Sequence, residues 1–175
     1  MIRDGDIASS RLWLRPLDEA VLDLLIAGDI AEAGHSLGAS VPHDWAAAHR
    51  ELFAVRRDDL ADAAYRPWGL RALILHESGV VVGHAGFHAA PGRPDQTVEI
   101  GYAIELAHRG RGLATEALDA LTAFAWSKGA TRIALSIRPA NAPSIAMARR
   151  AGFIHHSERH DEIDGLKQVW LKATP

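Results

Sequence analysis

Between Thr97 and Gly129 the hydrophobic period of the chain changes from two to 3.6 across a loop of glycine and arginine, and no other feature restricts the fold as strongly. On the N-terminal side Val98, Ile100, Tyr102 and Ile104 alternate with Glu99, Gly101 and Ala103, the pattern of a strand with one buried face. On the C-terminal side Leu113, Ala117, Leu121, Phe124 and Ala125 form a helical stripe ending at Lys128-Gly129, a basic residue before a glycine suited to the C′ position. A helix entered this way presents N–H groups without partners and about half a positive charge at its N-terminus. Gly110 and Gly112 let backbone approach a bulky ligand and Arg109 and Arg111 add charge, so a phosphate or diphosphate fits the loop. A glycine turn carrying two solvated arginines is the alternative.

The flanking segments supply further strands and helices. Arg11–Pro16 reads as a strand ended by proline, followed by a helix capped by Asp18 with Val21, Leu24, Leu25 and Gly28 at helical spacing. From Asp29 to Trp68 the pattern is irregular, broken by Gly34, Gly38 and Pro42 before a helix that starts near Asp44 and carries Trp45, Leu52 and Val55. Leu70–Leu75 and Val80–His88 read as strands joined by a turn at Gly79, and a second turn from Ala90 to Asp95 leads into Thr97–Ile104, giving an antiparallel meander. Ile133, Leu135 and Ile137 alternate as a strand, Asn141 can cap a helix closed by Gly152, and Val169–Leu171 reads as the last strand. This order predicts an α/β (α+β) single domain over 1–175, with a mixed, mostly antiparallel sheet of about six to seven strands flanked by helices.

Composition narrows the function classes. The net charge of −3 and 48% apolar content describe a soluble globule without the basic footprint of a nucleic-acid binder. Zero cysteines exclude disulfides, zinc-thiolate sites and a cysteine nucleophile, and suit a reducing cytoplasm. Neither a signal-like apolar core nor a run of about 18 apolar residues occurs, so a cytoplasmic protein without a membrane partner is expected. Gly112-Leu113-Ala114-Thr115 lacks the lysine of a P-loop, and Ile137-Arg138 stands where a dinucleotide fold needs an acid. His155, His156 and His160, with Asp161 and Glu162, invite a metal reading. Adjacent strand residues point to opposite faces, however, so exposed hairpin histidines and no metal are expected.

Four segments occur in a telling order: Glu99-Ile100-Gly101-Tyr102-Ala103-Ile104, then Arg109 through Ala117, then Asn141-Ala142-Pro143-Ser144, then Ala151-Gly152-Phe153. Together they resemble the GNAT superfamily of acyl-CoA-dependent N-acyltransferases, and within it the RimJ/RimL-like branch of ribosomal-protein N-terminal acetyltransferases. Arg109, Gly112 and Ala114 fill the family's pyrophosphate signature. The resemblance implies a sheet splayed at the acyl-CoA site between the strands at Ile104 and Leu135, with 97–153 as cofactor-binding core and 28–68 as variable substrate-side helices. It implies acetyl-CoA as cosubstrate and no metal. Amides of Arg109, Gly110, Arg111, Gly112, Leu113, Ala114 and Thr115 would cradle the diphosphate. Backbone of Tyr102, Ala103 and Ile104 would pair with the pantetheine arm, and Asn141 would bond that arm, a role compatible with capping a helix.

The activity so implied is transfer of an acetyl group to a primary amine, a protein N-terminus or a small molecule, by direct attack on the thioester. For the base, Glu99 is favoured, opposite the Val98–Ile100–Tyr102 face, with His84 and His88 in reserve. The tyrosine that serves as acid in many relatives is Ala148 here; the RimL-like branch offers Ser144 instead, and a carboxylate found on the fifth strand of some relatives is Ser136. Trp45 and Trp68 either shape the acceptor pocket or anchor the core. Family similarity alone points to a homodimer. A non-catalytic acyl-CoA-binding or sensing module is the alternative, supported by Ala148. A polyamine- or antibiotic-acetylating enzyme would require an acidic acceptor pocket, at which Asp58, Asp59 and Asp62 hint but which Arg56, Arg57 and Arg66 offset.

Overall fold

In the computed structural model, which describes residues 2–92, 96–162 and 165–174, the strands join in one sheet. Among the described residues they are β1 (Ile7–Ala8), β2 (Leu12–Pro16), β3 (Arg71–Leu75), β4 (Val81–Phe87), β5 (Thr97–Ile104), β6 (Arg132–Ile137), β7 (Ile154–Asp161) and β8 (Gly165–Ala173). The helices are α1 (Glu19–Ala27), α2 (Ile30–Leu37), α3 (His43–Ala48), α4 (Arg50–Asp59), α5 (Leu113–Ser127) and α6 (Ala142–Arg150). Spatial order is β1-β2-β3-β4-β5-β6-β8-β7, and of these ladders β5–β6 alone is parallel.

The architecture is the expected α/β layout with eight strands rather than six or seven. β1 has two residues, too few to carry a period. β7 is exposed along nearly its whole length, so Ile154-His155-His156-Ser157-Glu158-Arg159 shows no alternation to read. By contrast β3 and β4 are buried at every position, as strands covered on both faces must be. Trp45, Phe53 and Phe87 are the largest fully buried side chains of the core beside them.

Local chemistry sets several boundaries. Asp18 Oδ1 accepts from Val21 N–H at 2.9 Å, and Gly28, at φ 82°, closes α1. Two expectations in 29–68 are corrected. Gly34 lies inside α2 rather than breaking it, with only 3.0 Å between an added Cβ and Ala39 O; Gly38, at φ 58°, is the actual stop. The helix expected near Asp44 does begin there, at His43, but it is interrupted at His49 (φ −114°, ψ 14°) before resuming as α4. Val55 is 55% exposed and Phe53 holds the core position instead. β8 extends well beyond Val169–Leu171. Arg93, Pro94 and Asp95 of the expected second turn lie outside the described residues. Among the described residues no helix is long and apolar enough to cross a membrane.

One topological fact positions everything that follows. β5 and β6 pair only through Thr97–Arg132, Val98–Ile133 and Glu99–Ala134. Beyond Glu99, β5 stays with β4 while β6 stays with β8, so the sheet divides between Ile100–Ile104 and Leu135–Ile137.

Candidate active site

Backbone alternation decides which groups face the gap. Glu99 O accepts from His88 N–H and Glu105 N–H donates to Val82 O, so the odd residues of β5 turn toward β4. Ile100, Tyr102 and Ile104 therefore turn their N–H and C=O groups to the open side. Of the three residues expected to meet a pantetheine arm, Ala103 is the exception, its backbone directed at β4. The Ile104 carbonyl is taken by Arg109 Nε at 2.8 Å, so that guanidinium folds back onto the strand end.

α5 begins where the glycine loop ends. Gly112 is its N-cap at φ 76° and Gly110 sits at φ 73°, left-handed conformations in which a Cβ is strained. No side chain caps the helix, and its first backbone bond runs from Glu116 N–H to Gly112 O. The amides of Leu113, Ala114 and Thr115 are thus left pointing out of the N-terminus. Glu116 ties this end to the chain before β2. It accepts from Ser9 Oγ (2.7 Å), Ser10 Oγ (3.0 Å), Arg11 N–H (2.6 Å) and Arg11 Nε (2.7 Å), while Arg11 Nη1 donates to Arg111 O. Burial pushes the Glu116 carboxyl up, but these hydrogen bonds prevail and hold it at about 2.

A cavity of about 570 Å³ opens on this helix end. Tyr102, Ala103, Ile104, Arg109, Gly110, Gly112, Leu113, Ala114, Thr115, Asn141 and Ser144 line it, whereas Arg111 does not. His108, Pro143, Met147 and Arg150 also line it and were not anticipated. The spacing of Pro143, Met147 and Arg150 puts them on one face of α6, a signal that was available in the sequence. The donor set suits a diphosphate: helix amides without partners, glycines that keep the approach open, and cationic side chains at the rim.

A second cavity, of about 380 Å³, lies on the other side of the gap and shares Tyr102, Asn141 and Ser144 with the first. α4 contributes Leu52 and Arg56, β4 and its end His84 and His88, and the far half of the sheet Ser136, Arg138 and Lys167. Burial holds the Tyr102 phenol above its ordinary value, opposed by the hydrogen-bonding hydroxyl of Ser144, so the phenol keeps its proton at neutral pH. Asn141 Oδ1 accepts from Ser144 N–H at 3.3 Å and caps α6, and Ala148 is fully buried.

Glu99 lines neither cavity. His88 Nδ1 lies 3.3 Å from Glu99 Oε1 and the Arg159 guanidinium 3.4 Å from both carboxylate oxygens. Arg159 Nη2 also donates to Ser136 Oγ at 3.1 Å. Burial raises the Glu99 carboxyl, but hydrogen bonds from His88 and Ser136 with the charges of His88 and Arg159 outweigh it, giving about 2. His88 is the member of this pair that faces the cavity, its ring over Gly101, where a Cβ would stand 2.6 Å from Nε2. His84 is buried and accepts at Nδ1 from Trp45 Nε1 (3.3 Å); desolvation, then the charges of His49 and Arg56, lower it to about 3. Trp45 and Trp68 are core anchors. His155 packs on Trp170, the ladder is irregular between His155 and Ser157, and among the described residues no three His, Asp or Glu side chains form a metal-holding group.

Comparison with known proteins agrees with this geometry. The model of the acetyltransferase (GNAT) domain matches residues 11–154. No curated protein sequence matches. Among solved structures, a Bordetella pertussis protein described as a GNAT-family acetyltransferase is 28% identical, with 96% of this chain and 99% of that one covered at a TM-score of 0.66. A Vibrio cholerae protein described as a ribosomal-protein-serine acetyltransferase is 19% identical over 99% and 100% of the two chains, TM-score 0.71. The microcin C7 self-immunity acetyltransferase MccE, solved with acetyl-CoA and AMP, is 16% identical over 94% and 93%, TM-score 0.65.

Proposed function

Because the chain belongs to the GNAT acetyltransferase family, we propose that it transfers the acetyl group of acetyl-CoA directly to the nitrogen of a primary amine. The observation that carries the reading is the meeting of two cavities at Tyr102, Asn141 and Ser144, in the gap where β5 leaves β6. One cavity offers helix amides suited to a diphosphate; the other offers room for an acceptor. Acetyl-CoA supplies an activated acyl carbon: the amine nitrogen forms a C–N bond to it, the C–S bond breaks, the amine gives up a proton and the departing thiolate takes one.

The amides of Leu113, Ala114 and Thr115, with Gly110 and Gly112, bind the diphosphate, and the backbone groups of Tyr102 and Ile104 align the arm in the gap. That the described residues lining the larger cavity all fall between Tyr102 and Arg150 supports reading 97–153 as the cofactor-binding core. Leu52 and Arg56 in the smaller cavity support reading 28–68 as the acceptor side. His88 takes the amine proton. Glu99, too weak a base at about 2 to do so itself, holds the imidazole through Nδ1. Ser144, backed by the Tyr102 phenol, delivers the proton to the thiolate, a role for which Ala148 offers no group. No protein nucleophile is needed, since the thioester is already activated.

The test is calorimetric titration with coenzyme A, followed by thiol release from acetyl-CoA across a panel of amines and peptides. Binding with acceptor-dependent release is expected. Absence of binding overturns the proposal, and binding with no release for any acceptor leaves an acyl-CoA-binding module.

A further inference from the structure

Among the described residues that line the acceptor cavity, Arg56, Arg138 and Lys167 carry charge and no carboxylate is present. Two of these cations are largely removed from water: the Arg56 side chain is 16% exposed and that of Lys167 13%. Arg159, against Ser136 of the same wall, adds a fourth. Each of three cations has a carboxylate partner, Asp59 on Arg56 at 2.7 Å, Asp161 on Lys167 at 3.7 Å and Glu99 on Arg159 at 3.4 Å, and of these carboxylates none lines the cavity. Asp58 and Asp62, which hinted at an acidic pocket, are exposed and do not line the cavity.

The arrangement is costly for a sheet. Arg159 and Lys167 are directly opposite each other across the β7–β8 ladder, where like charges destabilise. Arg138 follows Ile137, whose partner is Gln168, and so extends the cationic row along the lip of the gap. An anion seated against this row would meet charge-assisted hydrogen-bond donors.

We infer that the acceptor is an amine bearing an anionic group, a carboxylate or phosphate, close to the nitrogen that is acetylated. The inference rests on the transferase reading and names the substrate class for that site. The same cations serve the chemistry, because positive neighbours disfavour an ammonium and leave more of the amine in its nucleophilic form. A polycationic acceptor meets repulsion instead.

The experiment compares acceptors that differ only in charge: Ala-Glu amide, Ala-Gln amide and Ala-Lys amide as the peptide arm, phosphoethanolamine and ethanolamine as the small-molecule arm. At low ionic strength kcat/KM is expected at least tenfold higher, about 1.4 kcal/mol, for the anionic member of the arm that contains the natural source, with the ratio shrinking as salt is added. Lys167→Glu and Arg138→Gln should reduce that ratio while leaving coenzyme A affinity unchanged, since neither residue lines the cofactor cavity. Binding of N-acetyl-Ala-Glu amide against N-acetyl-Ala-Gln amide to the coenzyme A-saturated protein reads the same preference without turnover. Thiol release with no charge preference in either arm, or a ratio unaltered in both variants, overturns the inference. Product binding that keeps the preference without thiol release would instead refute the transferase reading.

Discussion

Glu116 is the residue whose removal tests the most of this structure at once. Five contacts converge on its carboxylate from Ser9, Ser10 and Arg11, and its pKa falls from 4.5 to about 2. At 1.36 kcal/mol per pKa unit this bounds the contribution at about 3 kcal/mol. The Arg11 side chain is 48% exposed, so solvent screening reduces the figure, and Glu116→Gln is expected to cost about 1–2 kcal/mol, or about 3–6 °C in Tm. Because the folded pKa lies below the unfolded one, this stability is complete above about pH 4.5 and is lost as pH falls toward 2. Urea denaturation of both proteins should give a constant difference from pH 8 to 5 (about 1–2 kcal/mol) that narrows below pH 4.5. A difference under about 0.5 kcal/mol at pH 7, or one that does not narrow by pH 3.5, would refute the claim that an ionised Glu116 secures the start of α5. The variant should also bind coenzyme A more weakly, since Arg11 would lose the partner that holds it against Arg111 O.

Three further outcomes are expected. Gly112→Ala puts a Cβ at φ 76° and should cost about 1–2 kcal/mol together with a measurable loss of coenzyme A affinity by calorimetry. His88→Gln should lower kcat by about 10²–10⁴ with coenzyme A binding intact, while Ser144→Ala and Tyr102→Phe combined should lose little more than the worse single change, because the two act as one donor. His84, held at about 3, refuses the proton that the unfolded chain accepts below pH 6.5, so stability is full above that pH and declines as pH falls toward 3. His84→Gln should flatten the decline between pH 7 and 5 in denaturant midpoints.

The parts legible in the sequence were those in which one periodicity runs unbroken. β5, α5 and the presence of a glycine loop between them were legible because the period changes at the loop, and α1 because Asp18 caps it chemically, although Gly28, placed at helical spacing, is in fact the residue that ends it. β7 was read only as an exposed hairpin around His155 and left out of the strand order, because a strand exposed along nearly its whole length leaves no hydrophobic trace, and α2 was missed because a glycine within a helix looks like its end until Ala39 O is seen against it. At the site, Arg109, Gly110, Gly112, Leu113, Ala114 and Thr115, neighbours in sequence, line one cavity, while Arg111 does not. The engagement of Glu99 by Arg159 joins positions 60 apart and was invisible, as was the cationic row of Arg138, Arg159 and Lys167, which exists only once β8 lies between β6 and β7.

Three rungs of backbone join the two halves of this sheet. Past them, the backbone of each lip is bonded to its own neighbouring strand, β4 on one side and β8 on the other. Side chains along Ile100–Ile104 or Leu135–Ile137 can therefore be exchanged, widening, narrowing or recharging the slot, with no ladder bond broken. Such a seam lets a lineage change its customer by ordinary point substitution while the grip on the shared donor stays as it was.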